Sequence, residues 1–260
     1  MLKMAEPILS LRGVTRDFGP FRAVNEVSFD IMPGTITGLI GPNGAGKTTL
    51  FNVLTGMLAP SAGRVMFDRQ DVTCLAPDKL FARGMGRTFQ IPRPFKRMSV
   101  LENVMLAPLA QIGERLGGPF VNRARMREQE AQIRAKANEV LEFVTLDKLA
   151  DQAAGQISGG QMKLLELARI LMGDPQLILL DEPAAGVNPT LTRLLIEKIE
   201  ELNRGGKTFL IIEHDMDFIM QHCDPVIAMA EGKVVFQGTP AEAQANTLLL
   251  DAYLGAPVDA

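Results

Sequence analysis

The stretch TITGLIGPNGAGKTT, Thr35 to Thr49, decides how the rest of the sequence is read. Its first half is a short apolar run ending on glycine, the pattern of a buried strand. Its second half, Gly41, Pro42, Asn43, Gly44, Ala45, Gly46, Lys47, Thr48 and Thr49, satisfies the spacing G-x-x-x-x-G-K-[ST]. A helix is expected to follow from Lys47 to about Met57, closed by the region of Pro60. That gives the strand–loop–helix context the pattern requires. Glycines here let backbone N–H groups turn inward around phosphate, and the helix start adds positive potential. Lys47 is placed to reach the β- and γ-phosphates of a nucleotide, and Thr48 to ligate Mg²⁺. A nucleotide with Mg²⁺ is therefore the expected ligand, and the loop alone does not say which nucleotide.

Working outward, the 260 residues suit one large domain or a domain with a sizeable insertion. An apolar share of 47% with 22% charged residues is ordinary globular composition. The formal net charge of −3 argues against a nucleic-acid binder held by bulk electrostatics. Cys74 and Cys223 show no metal-like spacing and read as free thiols of a reducing compartment. The opening MLKMAEPILSLRG carries Glu6 and Pro7 early and is not expected to be a signal peptide. No run approaches about 18 apolar residues, so any membrane role is expected to come through partners.

Residues 8–15 and 23–31 read as strands separated by a turn near Phe18 to Pro20, and 63–73 as a further hairpin. From about Phe95 to Ala154 the texture becomes helical. Ser99 and Glu102 form a capping-box pattern. In 122–144, Met126, Ile133, Ala137, Val140, Leu141 and Val144 recur at helical spacing, after a break at Gly113, Gly117, Gly118 and Pro119. Then α/β alternation returns. Residues 177–181 and 209–212 are continuous apolar runs, as in parallel strands buried on both faces. Between them, 191–202 is an amphipathic helix; 226–230 and 233–238 are the last strands before a short helical tail.

Two further segments carry chemistry. LILLDEP (177–183) ends an apolar strand in a carboxylate, placing Asp181 at the sheet edge facing the phosphate loop as a Mg²⁺ ligand. Glu182 follows as the candidate base for the attacking water. In ISGGQMKLLELARIL (157–171), Ser158, Gly159, Gly160 and Gln161 begin a long amphipathic helix with a serine cap. That is a second exposed helix start suited to an anion, although an ordinary capped helix reads the same way.

With these motifs in this order, nearly the whole chain resembles the ABC ATPase family. The resemblance implies an α/β P-loop core, an N-terminal antiparallel β subdomain and an inserted α-helical subdomain in one domain of residues 1–260. Residues 1–94 and 155–260 would form the β subdomain and core, and 95–154 the helical subdomain. It implies that Ser158 to Gln161 are the signature motif, contacting the γ-phosphate of ATP on an opposite subunit. Gln90 in RTFQ matches the glutamine that senses Mg²⁺ and the attacking water, and His214 in IIEHD the switch histidine. Phe18 falls where the family stacks an aromatic on adenine, with Phe21 close by. One departure is Asn188 in EPAAGVNP, where the family commonly has aspartate.

EPAAGVNP, RTFQ with a long helical insert, IIEHDM and the terminal AYLG look like the ATPases of branched-chain amino acid importers. Urea or short-amide importers and a lipopolysaccharide-exporting ATPase share much of this pattern. A non-transport ABC ATPase is the remaining alternative, but neither a second cassette nor a long coiled coil is present. The implied assembly is a homodimer or a heterodimer with a paralogous ATPase, peripheral at the cytoplasmic face of the inner membrane. Integral membrane permease subunits and, indirectly, a substrate-binding protein would complete it. His222 and Cys223 read as structural, and Met85, Met98, Met105, Met126 and Met162 as core or as a docking surface.

Overall fold

Strand β1 (Leu9–Phe18) turns back through Gly19 and Pro20 onto β2 (Phe21–Ile31), an antiparallel pair with Phe18 opposite Phe21. The computed structural model describes residues 6–88, 93–108, 111 and 123–246. The 63–73 hairpin forms as β4 (Ala62–Phe67) and β5 (Gln70–Asp71), and the first sheet runs β2-β1-β4-β5. The continuous apolar runs become β3 (Ile36–Ile40), β7 (Leu177–Asp181) and β8 (Thr208–Ile212), each buried along its whole length. With β6 (Met85–Arg87), β9 (Val226–Ala230) and β10 (Lys233–Gly238), they make a six-stranded sheet ordered β10-β9-β3-β8-β7-β6. All its neighbours are parallel except β9 and β10. Strands buried on both faces must be apolar throughout, which is why these read as runs and not as alternation.

Helix α1 spans Lys47–Leu54, shorter than expected. Gly56 ends it: φ is +70° there, and the N–H groups of Met57 and Leu58 both return to the Asn52 carbonyl at 2.9 and 3.0 Å. A side chain at 56 would also collide with the carbonyl of Leu75. The stop is thus a left-handed glycine just past the helix, ahead of Pro60. Three elements gave no sequence signal: α2 (Pro77–Ala82), β6, and a helix at Met216–His222. All are too short to show a period.

Helix α3 (Val100–Met105) starts with the expected capping box: Ser99 Oγ accepts from Glu102 N–H at 3.1 Å, and Glu102 accepts from Ser99 N–H at 2.7 Å. Helix α4 (Arg123–Phe143) buries Ala137 and Leu141. Met126 and Ile133, nearer its start, instead line a 330 Å³ groove with Met98, Met105 and Leu106. Met85 is core, 3% exposed. Helix α5 (Gly159–Leu171) packs on α3 and α4, and Leu164, Leu165, Leu167 and Ala168 are among its buried residues. Helix α6 is Pro189–Arg204, α7 Met216–His222 and α8 Pro240–Ala245.

The chain divides into two compact units, residues 1–87, 176–183 and 201–260, and residues 88–175 and 184–200. The helical unit therefore reaches beyond 95–154, because α5 packs on the helices of that segment. Gln90, the glycine-rich break at 113–119 and the terminal AYLG lie outside the described residues. Among the described residues no helix is long and apolar enough to cross a membrane.

The two cysteines separate sharply. Cys74 is exposed, whereas Cys223 is buried and packs its Cβ against Gly38 of β3. Burial, with a smaller contribution from Glu213, pushes the Cys223 thiol up to about 12. The thiolate is the nucleophile, so at pH 8 an alkylating agent should modify Cys74 and spare Cys223 in the folded protein. Peptide mass mapping before and after denaturation checks this; equal labelling of both in the native protein contradicts the packing.

Candidate nucleotide site

Between β3 and α1 the chain wraps into a loop whose last glycine, Gly46, is the N-cap of α1 with φ +95°. No side chain caps this helix start, so its first N–H groups are left for an external acceptor. Only glycine fits here: a Cβ at 46 would strike the carbonyl oxygen of Ala23. The loop is further tied down by Gly232 N–H, which donates to Ala45 O at 3.1 Å. Lys47 Nζ donates to the carbonyls of Gly41 at 2.6 Å and Pro42 at 3.1 Å, folding back across the loop. Burial draws the Lys47 ammonium below its ordinary pKa, opposed by Glu182 and Asp181. A cleft of 260 Å³ is lined by residues 43–49 together with Phe21, Ala23 and Glu182. That is below the about 300–1,000 Å³ of a cavity enclosing a drug-sized ligand, so it suits a polyphosphate with the base left at the rim.

Asp181 and Glu182 are adjacent but differently housed. Asp181 ends β7 at 4% exposure, and its Oδ2 accepts from Arg87 Nη2 at 3.2 Å. Glu182 leaves the strand with φ +47° while its N–H donates to Ile212 O at 3.0 Å, which holds it at the end of β8. A non-glycine residue in this region costs about 1–3 kcal/mol, and such strain gathers at functional sites. His214, just past β8, brings Nδ1 to 3.7 Å from Glu182 Oε1, and its own side chain is largely exposed.

In the helical unit, Ser158 caps α5 in a full capping box: Ser158 Oγ accepts from Gln161 N–H at 3.3 Å, and Gln161 Oε1 accepts from Ser158 N–H at 2.8 Å. A hydroxyl accepting a bond still has its own O–H to donate. The two glycines differ. A Cβ on Gly160 would lie 2.5 Å from Leu191 Cδ1 and 2.9 Å from Val187 Cγ1, so a side chain there would have to displace both. A Cβ on Gly159 would meet no described atom within 4 Å. Asn188 caps α6, accepting from Leu191 N–H at 3.0 Å, so the departure from aspartate keeps a good N-cap.

Lys47, Glu182 and the loop come together around one cleft, with His214 beside Glu182. Phe18 does not line that cleft; the guanidinium of Arg16 sits 4.8 Å from its ring centre. Phe21 lines it instead, with 63% of its surface exposed. The signal for choosing Phe21 was the period of two: it shares a strand face with Ala23, which touches the loop. Arg87 was missed because β6 is three residues long.

Matches to known proteins agree with this geometry. The sequence profile of the ABC transporter family matches residues 24–185. The chain belongs to the ABC transporter family. Among its relatives, an Archaeoglobus fulgidus protein named "Probable branched-chain amino acid transport ATP-binding protein LivG" is 41% identical over 249 residues, covering 96% of each chain. The "High-affinity branched-chain amino acid transport ATP-binding protein LivG" of Escherichia coli is 37% identical, covering 97% of this chain and 99% of its own. A solved nucleotide-free ATP-binding cassette from an ABC transporter superposes with TM-score 0.82 at 38% identity, covering 96% of this chain and all of the other. A cassette in an ADP conformation gives the same score and identity, over 96% and 99% of the two chains. As in those cassettes, the fold is an α/β P-loop core with an N-terminal antiparallel sheet and a helical insertion.

Lys47→Ala should weaken ATP binding by at least tenfold, since it removes a charge-assisted partner of the phosphates worth about 1.5–3 kcal/mol. Titration calorimetry of purified protein measures this; unchanged affinity removes Lys47 from the phosphate site.

Proposed function

We propose that this chain is the ATP-hydrolysing subunit of an importer for branched-chain or other hydrophobic amino acids, working through separate membrane permease subunits. One observation carries the chemistry: Glu182 lines the same cleft as the glycine loop, with His214 at 3.7 Å. The substrate class is supported by the names of the relatives, which match this chain over nearly its full length.

The β- and γ-phosphates lie along the uncapped start of α1, accepting from its N–H groups and from Lys47. Thr48 and Asp181 are hard oxygen donors, one hydroxyl and one buried carboxylate, and this set fits Mg²⁺ alongside phosphate oxygens. Bound there, Mg²⁺ neutralises phosphate charge. Glu182 accepts a hydrogen bond from the attacking water and orients it in line with the γ-phosphate, while His214 supports the γ-phosphate beside it. Gln90 is assigned to the same water and metal by the family resemblance. Phe18, at the family's position, or Phe21, on the cleft wall, stacks on adenine.

Two subunits, identical or paralogous, pack head to tail, each completing the other's site with Ser158, Gly159, Gly160 and Gln161. Gly159 supports this arrangement, because no packing among the described residues explains its lack of a side chain. ATP favours the closed dimer over the open one, and hydrolysis removes that preference, which is what moves a partner. The permease subunits dock on the helical unit, where the methionine-lined groove offers an adaptable apolar surface. The complex sits at the cytoplasmic face of the inner membrane and meets a substrate-binding protein only through the permease.

Glu182→Gln should keep ATP binding and trap the dimer while hydrolysis falls by about a hundredfold or more. Tagged and loaded with ATP, this variant should draw multi-span permease subunits from detergent-solubilised membranes. Recovery of only soluble proteins or ribosomes would end the transport reading, and full turnover would remove Glu182 from its role. Gly159→Ala should leave folding stability within about 0.5 kcal/mol yet reduce ATP-driven dimerisation and hydrolysis together. Sedimentation velocity with ATP in the Glu182→Gln background checks it; undiminished dimer would place Gly159 outside the interface.

A further inference from the structure

Arg87 is the last residue of β6 and opens the RTFQ segment, of which the proposed mechanism uses only Gln90. In the β6–β7 pairing it stands opposite Leu179, two residues before Asp181 and so on the same strand face. Its guanidinium is almost fully buried and serves two elements at once. Nη2 donates to Asp181 Oδ2 at 3.2 Å. Nη1 donates to Asn52 Oδ1 at 2.7 Å and to Thr55 Oγ1 at 2.8 Å. Asn52 lies in the last turn of α1 and Thr55 is its C-cap. Thr48, Asn52 and Thr55 fall at i, i+4 and i+7, one stripe of one helix. Arg87 therefore grips the same helical face that carries the Thr48 hydroxyl.

We propose that Arg87 is a positioning residue for the metal site, fixing Asp181 relative to α1 so that its carboxylate and the Thr48 hydroxyl meet Mg²⁺ at a set spacing. The inference rests on the reading of Asp181 and Thr48 as the magnesium ligands. A carboxylate offers about four lone-pair directions, so the bond to Arg87 orients Asp181 without using it up. The fork geometry is essential: a guanidinium has five N–H donors in a fixed plane, and an ammonium of the same charge cannot span both elements in that plane. Burial lowers the Arg87 pKa, with Asp181 acting against that shift, and a guanidinium keeps its charge regardless. Partners of this kind, acting through a ligand, typically change metal affinity by about ten- to a hundredfold when replaced.

The test separates magnesium from nucleotide. Binding of a non-hydrolysable ATP analogue is measured by calorimetry in EDTA and across a Mg²⁺ titration for wild type, Arg87→Lys and Asp181→Asn. For Arg87→Lys the Mg²⁺ concentration giving half the affinity gain should rise by about tenfold or more, with the EDTA affinity unchanged. A merely structural role would lower both affinities alike, and that result, or an unmoved midpoint, overturns the proposal. If Arg87→Lys does not fold, Asn52→Ala carries the same test: it keeps the ion pair but loosens the grip on α1, and an unmoved midpoint there also overturns it. Asp181→Asn distinguishes the two ways of failing. If its midpoint stays at the wild-type value, the metal reading itself is wrong. If it moves and that of Arg87→Lys does not, only the assignment of Arg87 falls.

Discussion

The site depends on a helix start that must stay uncapped and must still be held rigid. Backbone N–H groups that are to meet phosphate cannot be satisfied by a side chain of their own loop, so the bracing comes from outside. Here it comes from both sheets. Ala23 of β2 presses its carbonyl on Gly46, and the turn between β9 and β10 bonds to Ala45 through Gly232 N–H. Asn25 N–H donates back to Gly232 O at 2.8 Å, closing a circuit of backbone bonds around the loop. The antiparallel sheet thus has a purpose beyond its own core. It supplies the wall against which the loop is set, and the strand that does so also carries Phe21 to the rim.

A second constraint follows from the proposed mechanism, in which two neighbouring carboxylates do different things. Alternation along a strand would already send Asp181 and Glu182 to opposite faces. The left-handed backbone at Glu182 goes further and takes it off the strand, while the bond to Ile212 O stops the turn from drifting. Asp181 stays inside with its charge balanced by Arg87. Breaking one side of such a buried pair typically costs about 3–5 kcal/mol, so the position of Asp181 is stiffly determined. Glu182, more exposed, is held by its backbone and leaves its carboxylate to address the cleft.

Much of this was legible in the sequence because it rests on long patterns. The parallel strands, the capping box at Ser99, the serine cap at Ser158 and the phosphate loop all declare themselves through runs or fixed spacings. What was not legible rests on contacts distant in sequence. The end of α1 depended on Gly56 fitting beneath Leu75, not on the more conspicuous Pro60. Strand β6 has three residues and is a strand only because β7 lies beside it. The role of Arg87, which opens the RTFQ segment, was therefore not legible, because its partners lie on α1 some 30 residues earlier and on β7 some 90 later. Phe18 and Phe21 flank the same turn, and the period of two favours Phe21 only once Ala23 is known to stand at the cleft.

The unlike glycines of the signature segment bear on how much work the proposed dimer can do. Gly160 is accounted for by its own chain; among the described residues nothing accounts for Gly159, and its exposed backbone lets an anion or a partner chain approach α5 closely. Driving a dimer from almost open to almost closed requires about 5.5 kcal/mol of differential binding. With two sites sharing the load, each signature segment must supply about half of that. A hydrogen bond to a charged group contributes about 1.5–3 kcal/mol, so the Ser158 hydroxyl and one backbone N–H suffice at each site. Losing the γ-phosphate removes those bonds across the proposed interface, and so a closure built on so few contacts is one that hydrolysis can reverse.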